Sequence, residues 1–307
     1  MLFRRNQSSV VVFAPAKLNL FLQVLGRRAD GFHELETLMV SVGLYDVVRL
    51  SLPAASERHG DIKLRCIAAG SVVRGVPREN CDLPLGRENL VVRAAELLRE
   101  TVGGVPGVKV DLVKRIPLAA GLAGGSSDAA ATLAGLNILW QLGLSSRELQ
   151  GLAARLGSDV PFFLAPSAAA VCRGRGEIIE PVPFPLRLHF VIVRPRTGLS
   201  TRLVFQHCQP APATRPVEVL VEHLRQGRLA HAGGCFYNAL QVPAEQLNAD
   251  VRRLKAAFSR LPFRGCQMSG SGTSYFGLCT SRRQALHLSA RLKSNRLGDV
   301  FVARSRP

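Results

Sequence analysis

Pro117-Leu118-Ala119-Ala120-Gly121-Leu122-Ala123-Gly124-Gly125-Ser126-Ser127-Asp128-Ala129-Ala130 reads as a glycine-rich loop running into a helix. Small residues let a backbone approach a ligand closely, and glycine reaches positive φ without steric cost. A helix that starts at such a loop aims its free N–H groups and the positive end of its dipole at whatever binds there, as in a phosphate cradle. Ser126 and Ser127 add hydroxyls suited to phosphate oxygens or a bound Mg²⁺. No Gly-Lys-Ser/Thr follows, so this is not a P-loop. No acidic residue stands where a Rossmann unit would hold a ribose. On these residues alone, an anion site and a Gly/Ala linker with a helix cap both remain open.

Upstream, Val108 to Val113 predicts a strand ended by Lys114-Arg115-Ile116-Pro117, and Asn89 to Thr101 a helix with Leu90, Ala94, Leu97 and Leu98 on one face. Downstream, the Ala-rich helix is expected from about Asp128 to Leu142, with Gly143 as its stop. Ser145 and Glu148 form a capping-box pattern for a helix ending near Gly157. Nearer the N-terminus, strands are expected at Val10–Ala14, Leu18–Leu25, Val40–Leu44 and Asp46–Leu52, with Asp30-Gly31 in a turn. The stretch 53–87 is polar and irregular, with a candidate strand at Ile62–Ile67. The second half predicts strands at Ala169–Cys172, His189–Val193 and Val300–Ala303, a loop over 195–201 and a Pro-rich connection over 209–216. It also predicts helices at Val217–Arg225, Ala244–Phe258 and Gln284–Leu292, and a strand-loop-strand from Met268 to Cys279. Strands and helices mixed in both halves indicate α+β rather than a doubly wound sheet.

A chain of 307 residues is long enough for two domains, expected at 1–167 and 168–307. Hydrophobic residues at 47% and charged ones at 20% suit a globular enzyme and exclude a disordered chain. The net charge of +18 would suit an anionic partner. Arg4, Arg5, Arg27, Arg28, Arg49, Arg58, Arg65, Arg74 and Arg78 are scattered, however, which points to background composition and not to a dedicated polyanion site. Seven cysteines with no CxxC pair argue for reduced thiols rather than a disulfide framework or a zinc cage. The apolar run Val10–Ala14 is too short for a signal segment, and no stretch has the length of a membrane span. A soluble, cytoplasmic protein with no membrane or nucleic-acid partner is expected; the oligomeric state is not legible.

Three further segments give the loop its context. These are Ala14-Pro15-Ala16-Lys17-Leu18-Asn19-Leu20, Gly157-Ser158-Asp159-Val160-Pro161-Phe162-Phe163 and Met268-Ser269-Gly270-Ser271-Gly272-Thr273-Ser274. With the loop, in this order over most of the chain, they resemble the GHMP kinases. Ala29-Asp30-Gly31-Phe32-His33-Glu34-Leu35, Arg87-Glu88-Asn89-Leu90-Val91 and Thr201-Arg202-Leu203-Val204-Phe205 are similar to the branch that uses ATP to phosphorylate the 2-hydroxyl of 4-diphosphocytidyl-2-C-methyl-D-erythritol, in non-mevalonate isoprenoid synthesis. The resemblance implies an α+β, two-domain fold, with an N-terminal ATP-binding domain of the ribosomal RNA-binding type and a ferredoxin-like C-terminal domain. It also implies ATP with Mg²⁺, and a cytidine-diphosphate polyol as substrate.

The resemblance assigns roles residue by residue. Asp159 matches the aspartate that contacts the accepting hydroxyl; its structural alternative is a helix N-cap. Lys17, a cation inside an apolar strand, is costly unless paired, and the resemblance pairs it with Asp159. Pro117, Leu118, Ala119, Ala120, Gly121, Leu122, Ala123, Gly124, Gly125, Ser126 and Ser127 form the ATP loop. Asn89 and Lys114 match positions near adenine and ribose, against plain readings as a helix cap and a solvated charge. Phe32 and His33 match the segment that grips cytosine, Phe205 its opposite wall, Thr201 the diphosphate region and Asn19 the polyol. The metal ligands are not legible. Ala119, Ala120 and Ala123 stand where some relatives carry Gly, and Phe32 where Tyr is common. A ribosomal-type RNA-binding protein would also explain the charge, but not Lys17 and Asp159 in these contexts.

Overall fold

The computed structural model describes residues 1–53, 61–68, 72–73, 76–77, 83–183, 187–210 and 215–305. Much of the polar stretch 53–87, Cys81 and part of the Pro-rich connection over 209–216 lie outside them. The chain packs as two compact units interleaved in sequence: 1–16, 44–116 and 123–165 form the first, and 17–43, 117–122 and 166–307 the second. In this packing 17–43 and 117–122 cluster with the C-terminal half.

The first unit contains β1 (Leu2–Arg5) and the start of β2 (Ser9–Arg27). It also holds the end of β3 (His33–Ser51), β4 (Ile62–Ala68), the short hairpin β5 (Val72–Val73) and β6 (Val76–Pro77), and β7 (Val108–Lys114). Its helices are α1 (Leu90–Val102), α2 (Gly124–Leu139) and α3 (Ser146–Leu156). β1 runs antiparallel to β2, from Leu2 opposite Phe13 to Arg5 opposite Val10. β7 lies antiparallel to β3 and parallel to β4. A parallel pair needs a crossover, and α1 lies in this one. α1 and α3 each bury one face, whereas α2 is buried almost all round. Its alanines, and Gly135 close to Leu50 and Val12, allow that close packing. The expected capping box is present at Ser145 and Glu148.

In the second unit β8 (Ala169–Gly174) pairs with the first half of β3 and with β9 (Ile178–Pro181). A four-stranded antiparallel sheet follows, built from β10 (His189–Arg194), β12 (Gly265–Met268), β13 (Tyr275–Cys279) and β14 (Asp299–Arg304) in the order β12-β13-β10-β14. Its helices are α4 (Thr201–Gln206), α5 (Val217–Arg225), α6 (Leu229–Gly234), α7 (Gln241–Leu247), α8 (Ala249–Ser259) and α9 (Arg282–Ser294); the two-residue strand β11 (Tyr237–Asn238) pairs with β2. Leu254 and Phe258 of α8 and Leu288 and Leu292 of α9 share a core with Val191, Val193, Met268 and Tyr275. The fold is α+β, as expected.

Several boundaries differ from expectation. The four N-terminal strands are two, each 19 residues long. β2 continues through Lys17 because the Lys17 and Asn19 N–H groups find partners at Leu122 O and Ser269 Oγ, so the chain has no reason to turn away. The helix expected over Ala244–Phe258 is two helices, since Asn248 takes an extended conformation and caps α8 through Asp250 N. Thr201 opens a helix capped by Ser200, not a loop end. Cys172, Cys208, Cys235, Cys266 and Cys279 are not in disulfides, but Cys66 is disulfide-bonded, against the expectation of reduced cysteines throughout.

Candidate active site

In the first unit, α2 begins at Gly124, four residues before the expected Asp128. Its N-cap residue, Ala123, is left-handed at φ 53 and offers no side-chain cap; no acidic residue sits in the first turn. The start of a 16-residue helix is therefore left to bind an anion. Ala119 is left-handed too, at φ 50. Two of the three alanines that replace glycine thus hold a conformation costing an L-residue about 1–2 kcal/mol each, so the loop keeps its glycine-type path. Ser127 is fully buried and its Oγ has no hydrogen-bond partner among the described residues.

Beneath this helix start lies an ion triad. Lys114 Nζ donates to Asp128 Oδ2 at 2.6 Å and to Asp46 Oδ2, and all three side chains are buried. Asp46 Oδ1 also accepts the N–H groups of Arg115 and Ile116, so it fastens the segment leading into the loop. A Cβ at Gly124 would lie 3.0 Å from Ile116 Cγ2 and 3.2 Å from Lys114 Nζ, which is why the helix begins on glycine. Lys114 is therefore not a solvated charge. Burial works against its ammonium, but the charges of Asp128 and Asp46 and their hydrogen bonds together hold its pKa above the ordinary value. Burial, with the charge of Asp46 adding to it and Lys114 opposing, pushes the Asp128 carboxyl up to about 8. Asp46 accepts three hydrogen bonds, whereas Asp128 Oδ1 has no hydrogen-bond partner among the described residues.

Asn89 caps α1: its Oδ1 accepts from Val91 N at 3.0 Å and its Nδ2 donates to Pro84 O at 2.9 Å. Asp159 is half-buried in the turn before the 3₁₀ segment Pro161–Leu164. Val160 is the cap residue of that segment.

In the second unit, Lys17 and Asn19 point to the same face of β2, as residues two apart must. Both are buried, and Lys17 Nζ donates to Asn19 Oδ1. Gly270 packs against them: a Cβ there would lie 3.1 Å from Lys17 Nζ and 3.3 Å from both Asn19 Oδ1 and Gly121 O. Gly121, at φ +72, sits so close to the 268–274 turn that a Cβ would be 2.0 Å from Ser269 O. Ala120 O accepts from Ser274 N, and Ser269 Oγ donates to Gly121 O. Residues 117–122 are thus laced to the Gly270-Ser271-Gly272 turn, which Thr201 joins through its Oγ1, 2.8 Å from Ser271 Oγ.

Phe32 is about half exposed, at 49%. Its backbone is fixed by a turn in which Phe32 N donates to Asp30 Oδ1 and Phe32 O accepts from Arg28 N, with Gly31 at φ 84. The Arg175 guanidinium covers one ring face at 4.7 Å from the centroid. His33 stacks on Phe205, centroids 5.0 Å apart and planes at 29°. Burial, and then the charge of Arg27, hold the His33 pKa below its ordinary value, so the ring is neutral at pH 7. Sequence reasoning did not single out Asp46, Asp128, Arg175 or Ser269. The rule that flagged Lys17, a charge inside an apolar run, applies equally to Asp46 and Asp128.

Models of the GHMP kinases N terminal domain and GHMP kinases C terminal match residues 89–166 and 220–296. The chain is 40% identical over 289 residues to a 4-diphosphocytidyl-2-C-methyl-D-erythritol kinase of Pelotomaculum thermopropionicum, covering 92% of this chain and 94% of that one. A crystal structure of 4-(cytidine 5'-diphospho)-2C-methyl-D-erythritol kinase superposes with a TM-score of 0.77 at 34% identity, covering 97% of this chain and 99% of the other. A homoserine kinase from Cytophaga hutchinsonii shares the fold, with a TM-score of 0.74 at 21% identity and coverage of 99% and 96%. The chain belongs to the GHMP kinases, and within them to the 4-diphosphocytidyl-2-C-methyl-D-erythritol kinases.

Proposed function

We propose that this chain transfers the γ-phosphate of ATP to the 2-hydroxyl of 4-diphosphocytidyl-2-C-methyl-D-erythritol. The observation that carries the phosphate half of this reading is the uncapped start of α2 behind a loop that keeps its left-handed turns even on alanine. The substrate half rests on similarity across nearly the whole chain, including the Phe32-His33 and Thr201–Phe205 segments. The homoserine kinase likeness bears on fold alone.

Phosphoryl transfer asks a protein chiefly for positioning and charge stabilisation. In this reading Asp159 takes the proton of the accepting hydroxyl, and Lys17 steadies the hydroxyl and the moving phosphoryl group. Asn19 orients the polyol and Thr201 the diphosphate. The exposed face of Phe32 stacks on cytosine, the neutral His33 bonds its edge, and Phe205 closes the opposite side. Residues 117–127 cradle the ATP phosphates. Asn89 and Lys114 serve the nucleotide by placement, since Asn89 caps α1 and Lys114 holds two carboxylates. Mg²⁺ keeps waters and binds largely through substrate phosphates. The donor set fits that habit: the orphaned Ser127 hydroxyl and neighbouring Ser126 would complete a shell supplied mainly by ATP, whose charge the metal neutralises. No helix among the described residues is long and apolar enough to cross a membrane; we place the activity in the cytoplasm, on a small molecule and without nucleic acid.

A coupled ADP-release assay with ATP, Mg²⁺ and the cytidine compound, with mevalonate and homoserine as decoys, tests the reading. Turnover with the cytidine compound alone is expected. Turnover with a decoy instead would keep the ATP half and discard the assignment of Phe32, His33 and Phe205.

A further inference from the structure

We infer that Thr37 is a positioning residue that fixes which way the Asn19 amide faces, and so what Lys17 meets. The inference deepens the proposed function and rests on Lys17 and Asn19 acting at the accepting hydroxyl. Thr37 stands on β3 beside β2 and is 3% exposed. Its Oγ1 lies 2.5 Å from Phe21 O and 2.9 Å from Asn19 Nδ2.

A threonine hydroxyl has one proton and two lone pairs. Phe21 O can only accept, so the proton goes there, and the same oxygen can then only accept from Asn19. Only the NH₂ end of the amide can donate, so that end faces Thr37. Oδ1 is thereby turned to Lys17, whose ammonium has no use for a second donor. Without the hydroxyl the amide is free to flip and set N–H against N–H. The backbone of the same residue is held from another side: Asn19 N donates to Ser269 Oγ at 3.3 Å, and Asn19 O accepts from Gln267 Nε2 at 2.7 Å. With the main chain so fixed, the flip of the side-chain amide is the one freedom left, and Thr37 removes it. Each partner is at most 4% exposed, so water cannot substitute.

The test is a kinetic double-mutant cycle on the full chain, with ATP and the cytidine substrate. Thr37→Val keeps the shape and removes the hydroxyl; kcat is expected to fall about ten- to hundred-fold, the range for one buried hydrogen bond left unmade. The KM for ATP should stay within about two-fold. Thr37→Ser, which keeps the hydroxyl and loses a methyl, should recover most of kcat; a packing role would give the opposite order. In an Asn19→Ala background, Thr37→Val should cost nothing further, because the group it aims is gone. Should Thr37→Val not fold, as judged by circular dichroism and thermal midpoint, Thr37→Ala takes its place in the cycle. A wild-type kcat for Thr37→Val beside a crippled Asn19→Ala overturns the inference and leaves the function standing, as do multiplicative losses in the double variant. A wild-type kcat for Asn19→Ala itself removes Asn19 from the proposed mechanism, and Thr37 with it.

Discussion

Replacing Asp128 by asparagine should change how the stability of the protein depends on pH. Two carboxylates and one ammonium are buried together at Lys114, and the Asp128 carboxyl is pushed up to about 8 by burial and by Asp46. In an unfolded chain the same carboxyl titrates near 4. Between those values the folded state holds a proton that the unfolded state has released, so stability falls as pH rises, fully present below the lower value and lost by the upper one. One proton sets the ceiling on that slope, between about 1 and 2 kcal/mol per pH unit, or roughly 3 kcal/mol from pH 5 to 7. Asp128→Asn has no proton to lose and keeps an oxygen for Lys114. Near pH 4 the two proteins should differ little; with rising pH the variant should gain on the wild type until about pH 8 and then hold a constant lead. Urea unfolding of both at pH 5, 6, 7, 8 and 9 measures the difference. A difference that does not vary with pH would refute the reasoning, since Asp128 would then be ionised in both states.

The other expectations concern the site itself. Asp159→Asn should leave nucleotide binding near normal by calorimetry and lower turnover by several orders of magnitude; near wild-type turnover would remove Asp159 as the base. Phe32→Ala should raise the KM for the cytidine substrate far more than that for ATP, and equal effects on both would dismiss the stacking role. Gly121→Ala must place a Cβ 2.0 Å from Ser269 O at φ +72, so beyond the roughly 1–2 kcal/mol of a left-handed L-residue the loop has to part from the 268–274 turn. A fall of the thermal midpoint by several degrees is expected; an unchanged midpoint would mean that the loop is not seated there.

What the chain reveals unaided is local chemistry. The hydrophobic period placed α1, α5 and α9, the capping box placed α3, and the β-branched runs placed β7, β10 and β14, because each of these signals is carried by residues a few positions apart. The four motif segments likewise announced the family, since each is contiguous in sequence. What the sequence could not supply was the partner of any buried polar group. Asp46 reaches Lys114 across 68 positions, and Ser269 reaches Asn19 across 250. Thr37 reads as one more β-former until its hydroxyl is seen between Phe21 and Asn19. The same holds for the backbone: Ala119 and Ala123 stand where some relatives carry glycine, and their left-handed turns at positive φ are seen only in the packed structure. Local propensity is written along the chain, whereas hydrogen-bond satisfaction is a property of the packed interior, so the active-site segments were legible in the sequence and the groups that aim them were decided by the fold.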